Sequence, residues 1–188
     1  LAVAPDGEHV VLVNGIEAGL VQLRRDPVGG GLSLQESYFD AAAPGIDLGI
    51  AVALAPDGRH VFVASGSTGA GARQLTVYTR RAPDPVFGFL ETDRQGDAGG
   101  SVTGLLSPAD IATSPDGKHV YSVSLGDGAL VAFARDARRN GDDTGGEHLL
   151  LLQSYVDGVN GVAGLARASR VMVSPDGAWV LVSSEDNN

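Results

Sequence analysis

The chain has 188 residues, enough for a substantial core, with a formal net charge of −10, 27 glycines and no cysteine. That acidic balance leaves no basic stripe to displace counterions, so it argues against a nucleic-acid backbone, and against an anionic membrane surface, as partner. No apolar run approaches the roughly 18 residues of a membrane span, and without cysteine there is no disulfide, thiolate nucleophile or thiolate-ligated metal.

In chain order, the first predicted strand is "LAVA" (1–4), which runs into Pro5-Asp6-Gly7 and out as "HVVLV" (9–13). Proline presets φ for a turn, aspartate tolerates the next position, and glycine accepts a left-handed conformation. A three-residue hairpin loop with a bulge is the expected geometry. Strands at 19–26 and 32–38 complete the unit. The second unit repeats the order with "VALA" (52–55), Pro56-Asp57-Gly58, "HVFVA" (60–64), and strands at 73–81 and 87–93. The third has "IATS" (111–114), Pro115-Asp116-Gly117, "HVYSV" (119–123), and strands at 129–136 and 149–157. The fourth reads "VMVS" (171–174), Pro175-Asp176-Gly177 and "WVLVS" (179–183).

The repeated prolines lie 51, 59 and 60 residues apart. A period near 50 residues points to a propeller or solenoid, and four short antiparallel strands per unit describe a propeller blade. A motif used four times is a building unit rather than four active sites. We label the strands of a unit a to d. Small residues on strand a (Ala2, Ala4, Ala53, Ala55, Ala112, Ser114) suit the crowded axis of a ring. The fold class is therefore all-β, a β-propeller of four-stranded antiparallel blades. Blades are expected at about 1–40, 50–93 and 109–157, with a half blade at 170–188. An arc of three and a half blades does not close, since rings take about 4–8 blades, so a fragment of a larger ring is expected, completed by further blades of the same or another chain.

With the repeat laid out, "SPDGKHVYSVSLGDGALVAFARD" (114–136) resembles the unit of the YVTN-type, lactonase-like seven-bladed propellers of bacteria. The resemblance extends more loosely over nearly the whole chain. It implies a seven-bladed ring, membership beside 6-phosphogluconolactonase-like hydrolases and secreted or surface proteins, and an extracellular or periplasmic location. It does not by itself imply an activity.

Hairpin geometry puts the Pro-Asp-Gly turns and the c–d turns on one face, and the irregular b–c and d–a connections on the other. Ligand sites favour loops on a rigid scaffold, so the irregular face is where a site is expected. Arg73, Arg94, Asp97, Asp157, Arg167 and Arg170 lie near it outside the repeat pattern. In a sugar-lactone hydrolase, arginine there could hold a phosphate or carboxylate, and a carboxylate or histidine could activate water. Asp136, Asn140, Asp142 and Asp143 offer hard oxygen donors for Ca²⁺, yet their spacing is not that of an EF-hand and a solvated acidic hairpin is the plainer reading. His9, His60 and His119 share one repeat position and read as structural. His148 is unrepeated and reads as a lone surface histidine. No nucleophile elbow, HExxH or phosphate loop is present, and no cofactor motif. Two functions remain: a non-catalytic scaffold binding a protein or glycan partner, and a hydrolase of sugar lactones.

Overall fold

The computed structural model describes residues 1–39, 45–66, 73–81, 86–97, 102–136 and 148–185. These form three four-stranded antiparallel sheets and one two-stranded sheet, each in simple chain order. The first blade holds β1 (Ala2–Val3), β2 (His9–Asn14), β3 (Gly19–Arg25) and β4 (Leu32–Phe39). The second holds β5 (Gly49–Leu54), β6 (His60–Gly66), β7 (Arg73–Arg81) and β8 (Val86–Arg94). The third holds β9 (Pro108–Thr113), β10 (His119–Ser124), β11 (Ala129–Arg135) and β12 (Leu149–Val156). The half blade is β13 (Ala168–Val173) and β14 (Val180–Ser184). The fold is the partial β-propeller that the repeat implies. Among the described residues, no helix is long and apolar enough to cross a membrane.

The Pro-Asp-Gly turns explain their own recurrence. In each, the glycine N–H donates to the last residue of strand a, at 2.9, 2.8, 2.9 and 2.8 Å along the chain. Glycine takes positive φ of 69°, 71°, 69° and 72° at Gly7, Gly58, Gly117 and Gly177. The aspartate Oδ1 accepts the N–H two residues on, as at Glu8, Arg59, Lys118 and Ala178. The loop is one residue longer than the expected three. Ser114 N–H reaches His119 O across four intervening residues, while His119 N–H turns to the Ser114 hydroxyl. The aspartate carboxylate satisfies the backbone donor that the extra residue frees, which makes the longer loop stable.

The cores lie between blades rather than within them. Val11, Leu20, Val61, Val63, Tyr78 and Phe87 fill the space between the first and second blades. Phe62, Leu75, Val77, Val120, Val131 and Phe133 fill that between the second and third. Val123, Ala168 and Val171 seat the half blade. Ala51, Ala53 and Ala55 of strand a are buried, as the crowding at the axis requires. Each fully buried aromatic or aliphatic side chain contributes about 1.5–3 kcal/mol of transfer free energy, so these sandwiched faces dominate the stability.

Candidate functional site

The d–a links set the site. Each carries a glycine followed by an apolar residue: Gly45-Ile46, Gly104-Leu105 and Gly164-Leu165. These glycines have φ of 81°, 90° and 87°. Their carbonyls accept from the blade: Gly45 O from Thr76 Oγ1 at 2.6 Å, Gly104 O from the Ser124 hydroxyl, and Gly164 O from Ser184 Oγ at 2.6 Å. Three residues on, each chain enters strand a through a left-handed residue that is not glycine: Leu48 (φ 50°), Ser107 (φ 56°) and Arg167 (φ 54°). Such conformations cost about 1 kcal/mol or more each and persist only where the surroundings impose them. Here the carbonyl of each is held by the end of strand b, from Gly66 N (3.2 Å), Leu125 N (3.0 Å) and Glu185 N (3.1 Å).

The same junction carries a β-bulge. The register slips between Gly49 and Ala51, between Pro108 and Asp110, and between Ala168 and Arg170. The extra residues are Ile50, Ala109 and Ser169. A bulge bends its strand and re-aims its side chain. All three line one cleft of about 520 Å³ at the axis on the irregular face, together with Ser107, Gly126, Arg167, Arg170 and Glu185. Arg167 Nη2 lies 2.9 Å from Glu185 Oε2, with both side chains about half exposed. Among the described residues, no hydrogen bond or ion pair engages the Arg170 guanidinium, which also borders a neighbouring groove with Asp110, Met172 and Leu181.

Of the six predicted site residues, the structure brings Arg167 and Arg170 together here. The other four stand elsewhere on the irregular face. Arg94 donates from Nε to Gln74 Oε1 at 3.0 Å, and its backbone N–H reaches Asp97 Oδ2 at 2.7 Å. The Arg73 Nε is buried, with no hydrogen-bond partner among the described residues. Asp157 Oδ1 accepts from Leu165 N at 2.9 Å and so fixes the third link. Asp127 does the same for Leu106 N at 2.9 Å, a role the sequence reading missed. Of the Ca²⁺ candidates, Asn140, Asp142 and Asp143 lie outside the described residues, and the Asp136 N–H donates to His148 O at 3.0 Å. Among the described residues, no cluster of three histidine or acidic side chains could hold a metal ion.

His148 is not on the surface as expected. It is 7% exposed, its N–H meets Glu91 Oε2 at 2.7 Å, and its ring lies 6.0 Å from that of His60. Glu91 of β8 also accepts Leu149 N at 2.6 Å, so the start of β12 is pinned to the preceding blade and takes His148 inside with it. His9, His60 and His119 stay apart, one per blade: His9 Nδ1 meets Asp6 at 2.9 Å, His60 Nδ1 meets Arg135 at 3.1 Å, and His119 packs on Tyr121.

No protein-family model matches the chain, and no curated protein matches it either. Solved structures do. A candidate 6-phosphogluconolactonase of Bacteroides fragilis aligns at TM-score 0.62 and 14% identity over 82% of this chain and 37% of its own. The periplasmic gluconolactonase of Pseudomonas aeruginosa aligns at TM-score 0.60 and 20% identity over 96% of this chain and 48% of its own. Hydrazine synthase of Kuenenia stuttgartiensis aligns at TM-score 0.61 and 17% identity, over 96% and 40%. The chain thus spans less than half the length of each. The likeness is one of fold, and the third protein shows how far the name can vary on it.

Proposed function

We propose that this chain is the ligand-binding arc of a YVTN-type, lactonase-like propeller and that the axial cleft recognises an anionic, hydroxyl-rich small molecule. The observation that carries this is Arg170, a guanidinium without a partner among the described residues, at a cleft whose rim three blades build. Arginine meets a carboxylate or phosphate with two parallel hydrogen bonds, and Ser107 and Ser169 add hydroxyls beside it. The chain is then a binding scaffold for such a ligand rather than the source of a reaction, in a ring that works outside the cytoplasm. A second reading, hydrolysis of a sugar lactone in the same cleft, is favoured by the two gluconolactonase-named neighbours.

Calorimetric titration of the whole chain with gluconate, 6-phosphogluconate and glucose tests the first reading. The acids bind, glucose does not, and Arg170→Ala weakens the acids about ten-fold or more. Equal binding by Arg170→Ala would overturn the assignment. Turnover of gluconolactone or its 6-phosphate above the rate in buffer would move the conclusion from scaffold to hydrolase.

A further inference from the structure

The three d–a junctions share one backbone tie, and only the third adds charge to it. In the first two the tied pairs are Leu48 with Gly66 and Ser107 with Leu125, which carry no charge. In the third, Glu185 N–H donates to Arg167 O at 3.1 Å, and Arg167 Nη2 donates in return to Glu185 Oε2 at 2.9 Å. The first two junctions show that the backbone tie suffices without the second bond. Ion pairs that serve the fold look different in this protein. On the opposite face, arginine clamps join neighbouring blades: Arg80 meets Asp6 at 3.2 Å and Arg135 meets Asp57 at 2.7 Å, with both guanidiniums buried. The Arg167–Glu185 pair stays within the half blade and is about half exposed, so it contributes little to stability.

What the pair does change is the charge of the cleft. Arg167, Arg170 and Glu185 are the charged groups among the described residues that line it, so it carries one net positive charge. Glu185 neutralises Arg167 and leaves Arg170 to meet an anion. Among the described residues, Glu185 Oε1 and Arg167 Nε have no hydrogen-bond partner. Those atoms match the hydroxyls of a polyol, which donate to a carboxylate and accept from a guanidinium.

We propose that Glu185 is a specificity-determining residue, which sets the cleft for a singly charged polyhydroxy acid and against the phosphorylated form of that acid. This specificity rests on the reading of the cleft as an acid-binding site. The acid of the ligand takes Arg170, and its hydroxyls take Glu185 and Arg167. A second anionic group has two courses. It lies beside the Glu185 carboxylate and meets like charge, or it displaces Glu185 from Arg167 and leaves that carboxylate unpaired. A phosphoryl group carries about −1.5 to −2 charge at pH 7, so both courses disfavour it against a hydroxyl in the same place.

The whole chain is titrated calorimetrically with gluconate and with 6-phosphogluconate. The parent is expected to hold gluconate about five-fold or more tighter. Glu185→Gln keeps the shape and an acceptor but drops the charge. It releases Arg167 to the second anion and brings 6-phosphogluconate to equal or tighter binding. Arg167→Ala leaves the Glu185 charge unpaired in the cleft and weakens both acids, 6-phosphogluconate the more. Circular dichroism confirms that both variants keep the parent fold. The proposal is overturned if the parent binds 6-phosphogluconate as tightly as gluconate, or if Glu185→Gln leaves the ratio of the two affinities unchanged, and in either case the acid-binding reading still stands. If neither acid binds the parent, that reading falls and the specificity with it.

Discussion

Arg135 offers the sharpest test of the inter-blade account. Its side chain is 2% exposed, while its partner Asp57 is 34% exposed. The guanidinium reaches Asp57, the Gly117 carbonyl and His60 Nδ1, so Arg135→Ala strands three acceptors at one junction. Removing one partner of a buried pair costs about 3–5 kcal/mol, and the partial exposure of Asp57 lets water recover some of that, leaving about 2–3 kcal/mol. For a chain of this size each kcal/mol shifts Tm by about 2–4 °C, so a fall of roughly 5–10 °C is expected. Arg135→Lys should lose about half as much. Asp57→Asn combined with Arg135→Ala should cost less than the two singly, with a coupling of about 1 kcal/mol or more. Arg24→Ala serves as the control, since the Arg24–Glu8 pair is 55% and 42% exposed and should move stability by under about 0.5 kcal/mol. Thermal melts give the Tm shifts, and urea denaturation followed by far-ultraviolet dichroism gives the free-energy differences. An Arg135→Ala loss no greater than that of Arg24→Ala would refute the clamp as a structural element.

The remaining predictions follow from the same turns. Burial pushes the Asp57 carboxyl up, but the Arg135 guanidinium and the Arg59 N–H outweigh it and hold the group below the usual carboxylate range. At Asp6 burial is likewise outweighed, by the Glu8 and His9 N–H groups, the His9 ring and Arg80. Carboxylates depressed in the folded state contribute stability that is present above their unfolded value near pH 4 and lost as pH falls through the folded one. Tm should therefore fall steeply below about pH 4, and Asp57→Asn should flatten that slope. Gly7→Ala and Gly117→Ala share one φ of 69°. An added methyl at Gly7 meets nothing within 4 Å, whereas at Gly117 it lies 3.1 Å from Arg135 Nη1. Gly7→Ala should cost about 1 kcal/mol and Gly117→Ala about 1 kcal/mol more, and equal losses in thermal melts would contradict the packing described. Gly45→Ala should be more damaging still, about 3 kcal/mol, because its methyl would fall 2.5 and 2.7 Å from the Thr92 and Thr76 hydroxyl oxygens.

The blades were legible because their signals are local. Proline, aspartate and glycine in sequence specify a turn within four residues, and alternation specifies the strands beside it. Within the turns the misjudged detail, the loop length, rested on a carboxylate capping its own backbone. The clamps were not legible, although Arg80 and Arg135 stand in plain view in "TRR" and "ARD". Their partners lie 74 and 78 residues away, and only stacked blades bring them together. His148 failed for the same reason: the glutamate that buries it is 57 residues upstream. The left-handed residues at the axis gave no composition signal, since leucine, serine and arginine occupy a position where glycine would be the expected mark.

Those axial positions also explain why fold and function part company here. The backbone of the junction is repeated: the link glycine, the left-handed residue and the bulge recur in all three d–a connections. The side chains delivered there are not repeated. The bulges present isoleucine, alanine and serine, and the left-handed sites present leucine, serine and arginine. Stability selects the backbone of the junction, because each strained residue is held by hydrogen bonds from strand b. Nothing in that requirement restricts which side chain points into the cleft. The opposite face is constrained in the other sense, because the Asp6 and Asp57 carboxylates of the turns are already spent on arginine clamps. The axial mouth is therefore where side chains are free to differ between blades, and there the cleft turns from apolar at Ile50 to cationic at Arg170 across the arc. In the proposed reading the acid of the ligand would meet Arg170 at the cationic end, with the Ser107 and Ser169 hydroxyls beside it.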